Sequence, residues 1–243
     1  MSKYCIVIPS FNEETRILTD DFIDFADCNK DFHFLFVNDG STDKTLNVLK
    51  NIVDKSEQMS LLDLPLNCGK AEAIRKGMEI SLAKNEFDFL GYLDADLAIP
   101  LNELLRLKKL SESNYEFIFS SKKNTPNNKL EVKFKRFFIG RTLSKMVGLS
   151  LKLDVYDTQC GCKLMSNKIA QVVFKEPFIS SWLFDIELFW RIMNNFGKEF
   201  FVSSSKEVPV KKLIDRGSSR IKIADLISLP YEFLKIHLHY SNK

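Results

Sequence analysis

Two aspartates, Asp94 and Asp96, follow the largely apolar run Phe87-Asp88-Phe89-Leu90-Gly91-Tyr92-Leu93. In an extended segment, residues two apart face the same way, so both carboxylates can meet one hard cation. Mg2+ and Mn2+ favour oxygen ligands and are often shared with phosphate oxygens. The chemistry open to this pair is the binding of a cation together with a diphosphate; a turn without a ligand is the alternative. Another aspartate, Asp39, sits in Asn38-Asp39-Gly40-Ser41-Thr42-Asp43. That composition makes a turn and a helix cap, and it also puts a carboxylate where it could hydrogen-bond a nucleobase or a ribose. Asp185 and Glu187 form a further acidic pair. If they open a helix, only one of them faces a site squarely; the alternative is a solvated face or a partnership with the helix N-terminus.

The elements that must hold these residues follow from apolar patterning. Residues 4–8, closed by Pro9, read as a buried strand, as do 32–37, 60–64, 87–93 and 116–120. Helical spacing predicts helices over 12–25, 42–53 and 69–83 between them, with Ser41 or Thr42 as a cap for the second. Strands that are apolar throughout and alternate with helices imply an α/β fold, with a mostly parallel sheet covered on both faces. Ligands of such sheets bind beyond the carboxyl ends of the strands. The polar residues converge there: Ser10, Asn12 and Glu13 after the first strand, Asp39 after the second, Asn67 and Lys70 after the third, Asp94 and Asp96 after the fourth. The remainder is less regular. Residues 129–151 read as a basic amphipathic helix or helix pair, with Arg136, Arg141 and Lys145 among Phe134, Phe137, Phe138, Leu143 and Met146. A strand with a turn at Gly161 is predicted over 156–165, a helix over 183–195 ended by Gly197, a strand pair within 200–210, and a last helix over 221–240 interrupted at Pro230.

Bulk properties exclude several classes. The 243 residues are 45% hydrophobic and 28% charged, which suits one globular domain, and the net charge of +3 is too small to imply nucleic acid. The 21 phenylalanines point mainly to a Phe-rich core, with a minority facing lipid. Five irregularly spaced cysteines argue for a reducing compartment rather than a disulfide framework. Cys160 and Cys162, one residue apart, do not match zinc spacing. The first residues read as a strand rather than a signal peptide, and no apolar run reaches the ~18–20 residues that span a bilayer. A cytoplasmic protein, or one peripheral on the inner face of the cytoplasmic membrane, is therefore expected. No Gly-x-Gly-x-x-Gly follows the first strand, which disfavours a dinucleotide oxidoreductase.

Four segments together carry a resemblance. Ile8-Pro9-Ser10-Phe11-Asn12-Glu13, Val37-Asn38-Asp39-Gly40-Ser41-Thr42-Asp43, Asn67-Cys68-Gly69-Lys70 and Asp94-Ala95-Asp96-Leu97 resemble, in order and spacing, the family 2 glycosyltransferases of GT-A fold. Three later segments are similar to dolichyl-phosphate and polyprenyl-phosphate β-glucosyltransferases: Asp157-Thr158-Gln159-Cys160-Gly161-Cys162-Lys163-Leu164, Trp182-Leu183-Phe184-Asp185-Ile186-Glu187-Leu188 and Arg216-Gly217-Ser218-Ser219-Arg220-Ile221. Cys162 stands where Phe is usual, Ala71 where Gly is usual, and Ala98 where some polyprenyl-phosphate mannosyltransferases carry a metal-binding Gln.

The resemblance implies a single GT-A domain over 1–243, with 1–121 the nucleotide-sugar half and 122–243 the acceptor side. It implies an inverting, metal-dependent hexosyl transfer, from UDP-glucose, to a polyprenyl phosphate at a membrane surface. Pro9, Asn12, Glu13, Asp39, Ser41, Asn67, Gly69, Lys70 and Asp94 would bind the nucleotide sugar. Asp94 and Asp96 would hold Mg2+ or Mn2+, Asp94, Asp96 and Asp185 would serve catalysis, and Arg136, Arg141, Ser219 and Arg220 would take the acceptor phosphate. Two other readings remain: a cytoplasmic transferase acting on a saccharide hydroxyl, which would need a general base, and a sugar-nucleotide-binding protein without turnover.

Overall fold

The computed structural model describes residues 2–125, 145, 147, 148, 150–214 and 223–241, with side chains omitted for 223–227. Seven strands form one sheet: β1 (Tyr4–Ser10), β2 (Phe32–Asp39), β3 (Met59–Leu64), β4 (Phe89–Leu93), β5 (Phe117–Ser121), β6 (Cys162–Ser166) and β7 (Ser205–Pro209). Their order is β3-β2-β1-β4-β6-β5-β7. β6 runs antiparallel between β4 and β5, and the other pairings are parallel. Pro9 does not end β1; it lies inside the strand in register with Val37.

Side chains on β1 alternate between two layers, as the period of two demands. Cys5 and Val7 face one core with Ala73, Ile74 and Met78 of α3 (Lys70–Ala83) and with α5 (Asn167–Val173), α6 (Phe184–Ser204) and α7 (Ile223–Ser241). Tyr4, Ile6 and Ile8 face the other, with Phe22 and Phe25 of α1 (Thr19–Cys28), Leu49 and Ile52 of α2 (Thr45–Val53), and Leu104 and Leu107 of α4 (Asn102–Ser111). Phenylalanines fill both. Phe22 meets Phe34 and Phe36 edge-on at 5.4 and 5.0 Å between ring centroids, and Phe189 meets Phe117 and Phe119 at 5.4 and 5.0 Å.

Several boundaries differ from expectation. α1 starts at Thr19 rather than near 12, because Asn12 adopts φ +51° and the segment after it is tied to the β2–α2 loop. α2 starts at Thr45, and Asp43 rather than Ser41 or Thr42 accepts the Thr45 N–H at 2.9 Å. Gly197 does break its helix, with φ +85° and ψ +165°, a conformation that side chains with a Cβ rarely adopt. The helix then resumes to Ser204, so 200–210 holds one helical turn and β7 rather than a strand pair. Residues 156–161 form no strand before β6. The basic stretch expected as a helix over 129–151 lies mostly outside the described residues; within it, Lys145 is helical and exposed. Among the described residues, no helix is long and apolar enough to cross a membrane.

Candidate active site

The carboxyl ends of β1 to β4 are stitched to one another by polar side chains. Asn12 donates its N–H to Ser41 Oγ at 3.0 Å and accepts the Thr42 N–H on Oδ1 at 2.9 Å. The Glu13 N–H is held by Thr45 Oγ1 at 2.7 Å. Asp39, buried at the end of β2, accepts the Cys68 N–H on Oδ1 at 2.7 Å and the Gly69 N–H on Oδ2 at 2.9 Å. Asn67 donates to the Asp39 carbonyl at 3.1 Å. Asp39 thus fixes the loop that leads into α3, and each of its oxygens keeps lone-pair capacity for a second donor. Pro9, half-buried, sits between these loops in β1.

The turn after β4 brings Asp94 and Asp96 to the same opening. Leu97, buried, takes φ +48° and donates its N–H to the Asp94 carbonyl at 3.2 Å. A left-handed leucine is strained and persists only where its surroundings impose it, as at binding sites. The Asp94 N–H reaches the Gly161 carbonyl at 3.2 Å. A Cβ on Gly161 would lie 2.3 Å from Asp94 Oδ2, so this glycine makes room for the carboxylate. Both aspartates are already engaged by cations: Lys70 Nζ is 2.5 Å from Asp94 Oδ1, and Arg16 Nη2 is 2.7 Å from Asp96 Oδ2. Asp96 Oδ1 accepts the Ala98 N–H at 3.0 Å. Partial desolvation opposes the charge of Lys70, whose side chain remains partly exposed, but Asp94, Asp185 and Asp96 outweigh it and hold its pKa above the usual lysine value.

Behind the opening lies a cluster with almost no water contact. Asp185, in the first turn of α6, accepts hydrogen bonds on Oδ1 from the Tyr92 hydroxyl and the Lys163 ammonium. Lys163 Nζ also donates to the Cys160 carbonyl at 2.8 Å. Lys163 and Tyr92 are fully buried and Asp185 is 4% exposed. Burial, then the neighbouring Asp185 charge, pushes the Tyr92 pKa well above that of an ordinary tyrosine. Among the described residues, Asp185 Oδ2 forms no hydrogen bond. Glu187 turns away from this cluster: it accepts the N–H groups of Ile179 and Ser180 at 3.1 and 2.8 Å and the Tyr240 hydroxyl at 3.1 Å, and Arg191 stands 3.6 Å off.

Pro9, Asn12, Glu13, Asp39, Ser41, Asn67, Gly69, Lys70, Asp94 and Asp96 therefore gather along one edge, with Asp185 joined to the base of the Asp94 turn through Tyr92 of β4 and Lys163 of β6. Arg136, Arg141, Ser219 and Arg220 lie outside the described residues. Arg16, Tyr92 and Lys163 join the site although the sequence did not single them out. A lone lysine inside the apolar strand β6 was the available signal, since a buried ammonium needs a charged partner.

A divalent cation fits this donor set in one way. Among the described residues no three His, Cys, Asp or Glu side chains converge on a metal position. Asp94 and Asp96 supply two carboxylates at an opening, 41% and 21% exposed, which is the share of ligands a protein gives a cation whose other ligands are phosphate oxygens and water.

This sheet order, with an acidic turn at the carboxyl edge, defines the GT-A class of glycosyltransferases. Residues 5–174 match the model of glycosyl transferase family 2, and the chain belongs to that family. A dolichyl-phosphate beta-glucosyltransferase of Trichomonas vaginalis is 26% identical over 96% of this chain and 72% of its own. One from Dictyostelium discoideum is 27% identical, over 94% and 74%. Among solved structures, glucosyl-3-phosphoglycerate synthase of Mycobacterium tuberculosis in complex with uridine diphosphate superposes with a TM-score of 0.68 at 18% identity, covering 98% of this chain and 80% of that one. Its complex with Mn2+, uridine diphosphate and glucosyl-3-phosphoglycerate gives 0.66 at 17%, with coverage of 98% and 80%. These likenesses establish the fold.

Proposed function

We propose that this chain transfers a hexose, glucose from UDP-glucose, to the phosphate of a polyprenyl phosphate, with inversion at the anomeric carbon. The observation that carries the reading is the meeting of Asp94, Asp96, Lys70 and Arg16 at one opening beside Asp185. The names of the relatives supply the acceptor class. The bond between the anomeric carbon and the β-phosphate oxygen breaks, a bond from that carbon to an acceptor phosphate oxygen forms, and a nucleoside diphosphate leaves. Mg2+ or Mn2+ held by Asp94 and Asp96 would supply Lewis-acid stabilisation of the departing diphosphate.

The chain's own residues do the rest. Asp39 fixes the Asn67–Lys70 loop and takes a donor from the nucleoside, with Pro9, Asn12, Glu13, Ser41 and Gly69 shaping the pocket around it. Lys70 and Arg16 balance diphosphate charge. Asp185, locked by Lys163 and Tyr92, presents Oδ2 to a hydroxyl of the sugar. A phosphate acceptor, with a second pKa of ~6, is mostly dianionic at neutral pH and needs no general base. Arg136, Arg141, Ser219 and Arg220 are assigned to that phosphate, within the acceptor side 122–243, and the basic Phe-rich stretch to an anionic membrane surface. The test is nucleoside diphosphate release from a panel of sugar nucleotides, with and without polyprenyl phosphate. The reading expects UDP release from UDP-glucose to rise with the lipid phosphate; stimulation by soluble saccharides alone would overturn it.

A further inference from the structure

Both carboxylates that would hold the cation are already neutralised by the protein itself, Asp94 by Lys70 at 2.5 Å and Asp96 by Arg16 at 2.7 Å. The four charges cancel. A divalent cation arriving alone must displace an ammonium and a guanidinium from these carboxylates, leaving Arg16 with Glu13 at 3.4 Å, and it adds two positive charges to a group that was neutral. A cation arriving with a diphosphate brings the anion that those two groups need. We infer that Lys70 and Arg16 are exchangeable counter-ions, which guard Asp94 and Asp96 in the absence of donor and pass to the diphosphate when cation and nucleotide bind together. The inference rests on the proposed sugar-nucleotide chemistry and deepens it by making the charge balance an exchange between carboxylate and diphosphate.

The geometry suits an exchange. Asp96 stays oriented without Arg16, because its Oδ1 is held by the Ala98 N–H at 3.0 Å. Arg16 stays near the opening without Asp96, because Glu13 lies 3.4 Å from its Nη1. Lys70 is the first residue of α3, where the end of a helix favours an anion. The side chains of Lys70 and Arg16 are 40% and 27% exposed, so neither is walled in. A guanidinium in this position offers two parallel N–H donors that match a pair of phosphate oxygens, whereas an ammonium acts as a compact point charge.

The consequence is positive coupling between cation and nucleotide, reciprocal by thermodynamic necessity. The experiment measures Mn2+ affinity by electron paramagnetic resonance of the free ion, with and without UDP, for the parent, Arg16→Gln and Lys70→Met, each checked for an unchanged circular dichroism spectrum. The parent should bind Mn2+ weakly alone and at least about fivefold more tightly with UDP, the lower end of ordinary couplings. Each variant should bind Mn2+ more tightly than the parent in the absence of UDP and should lose most of the coupling. Unchanged or weaker Mn2+ binding by both variants without UDP, or coupling equal to the parent's, would overturn the exchange. A parent that binds UDP but no Mn2+ would remove the cation and this inference together, while leaving the transferase reading standing.

Discussion

Asp94 and Asp96, and Asp185 and Glu187, are both acidic pairs with one residue between them, and the fold treats them in opposite ways. The first pair lies not in the extended segment expected from the sequence but in a tight turn after β4, closed by the Leu97 N–H on the Asp94 carbonyl; its carboxylates share an opening and are paired with Lys70 and Arg16. The second lies in the first turn of α6, where a spacing of two turns the side chains apart by roughly 200°. Asp185 goes to Tyr92 and Lys163, and Glu187 goes to the backbone of residues 179 and 180 and to Tyr240. One pair stays together at an opening; the other splits between a buried lysine and tyrosine on one side and a loop backbone on the other. The same sequence interval means different chemistry on different backbones.

Asp96 carries the largest expected effect. Asp96→Ala should lower kcat by about a thousandfold or more, as removal of charge stabilisation at the reacting centre does, with the circular dichroism spectrum unchanged; turnover in excess chelator, or an active variant, would remove the pair from the chemistry. Next comes Asp185. Asp185→Asn should cost about a hundredfold in kcat, and it leaves Lys163 buried without its charge partner. Lys163→Met alone should destabilise the fold by about 3–5 kcal/mol, whereas the double variant should regain much of that stability in denaturant titrations without regaining activity. Recovery of activity in the double variant would make Asp185 a structural residue like Glu187.

Asp39 and Glu187 should show smaller effects. Asp39→Ala should raise KM for the sugar nucleotide about tenfold, ~1.4 kcal/mol of binding, with kcat nearly constant. A large fall in kcat at constant KM would contradict its place away from the reacting carbon. Glu187→Gln should leave KM and kcat nearly unchanged and cost about 1–3 kcal/mol of stability, because one acceptor oxygen is replaced by a donor facing donors. Burial raises the Glu187 pKa despite its hydrogen bonds. The native state therefore binds more protons than the unfolded state between the ordinary glutamate pKa and the raised one, and stability falls as pH rises through that window. That part of the slope should be missing in the variant, read from urea midpoints across pH.

The polar carboxyl edge of the sheet was legible because it rests on strong local signals. Strands buried on both faces leave long apolar runs, and the polar residues after them have nowhere to go but the carboxyl edge. Asp94 and Asp96 could be placed at that edge because they follow a buried strand, not from their spacing alone. Arg16 escaped notice because its partner is eighty residues away in sequence, and its own neighbourhood looked like the start of a helix until Asn12 turned left-handed. Lys163 and Tyr92 looked like strand residues, which they also are. α5 is only seven residues long and is started by Ser166 Oγ accepting the Ile169 N–H; helices that short are held by packing rather than by propensity. α4 carries a buried pair, Leu104 and Leu107, too short an apolar stripe to mark a helix among its charged neighbours. β7 has only Val208 buried, so no alternation marks it, and its pairing with β5 is a tertiary event.

The most direct measurement follows labelled glucose from UDP-glucose into lipid extract in the presence of polyprenyl phosphate and Mg2+ or Mn2+, comparing the parent with Asp96→Ala. The account predicts a glucosyl polyprenyl phosphate made by the parent and only traces from the variant. Label found only in soluble saccharide, or equal lipid product from both proteins, would contradict it.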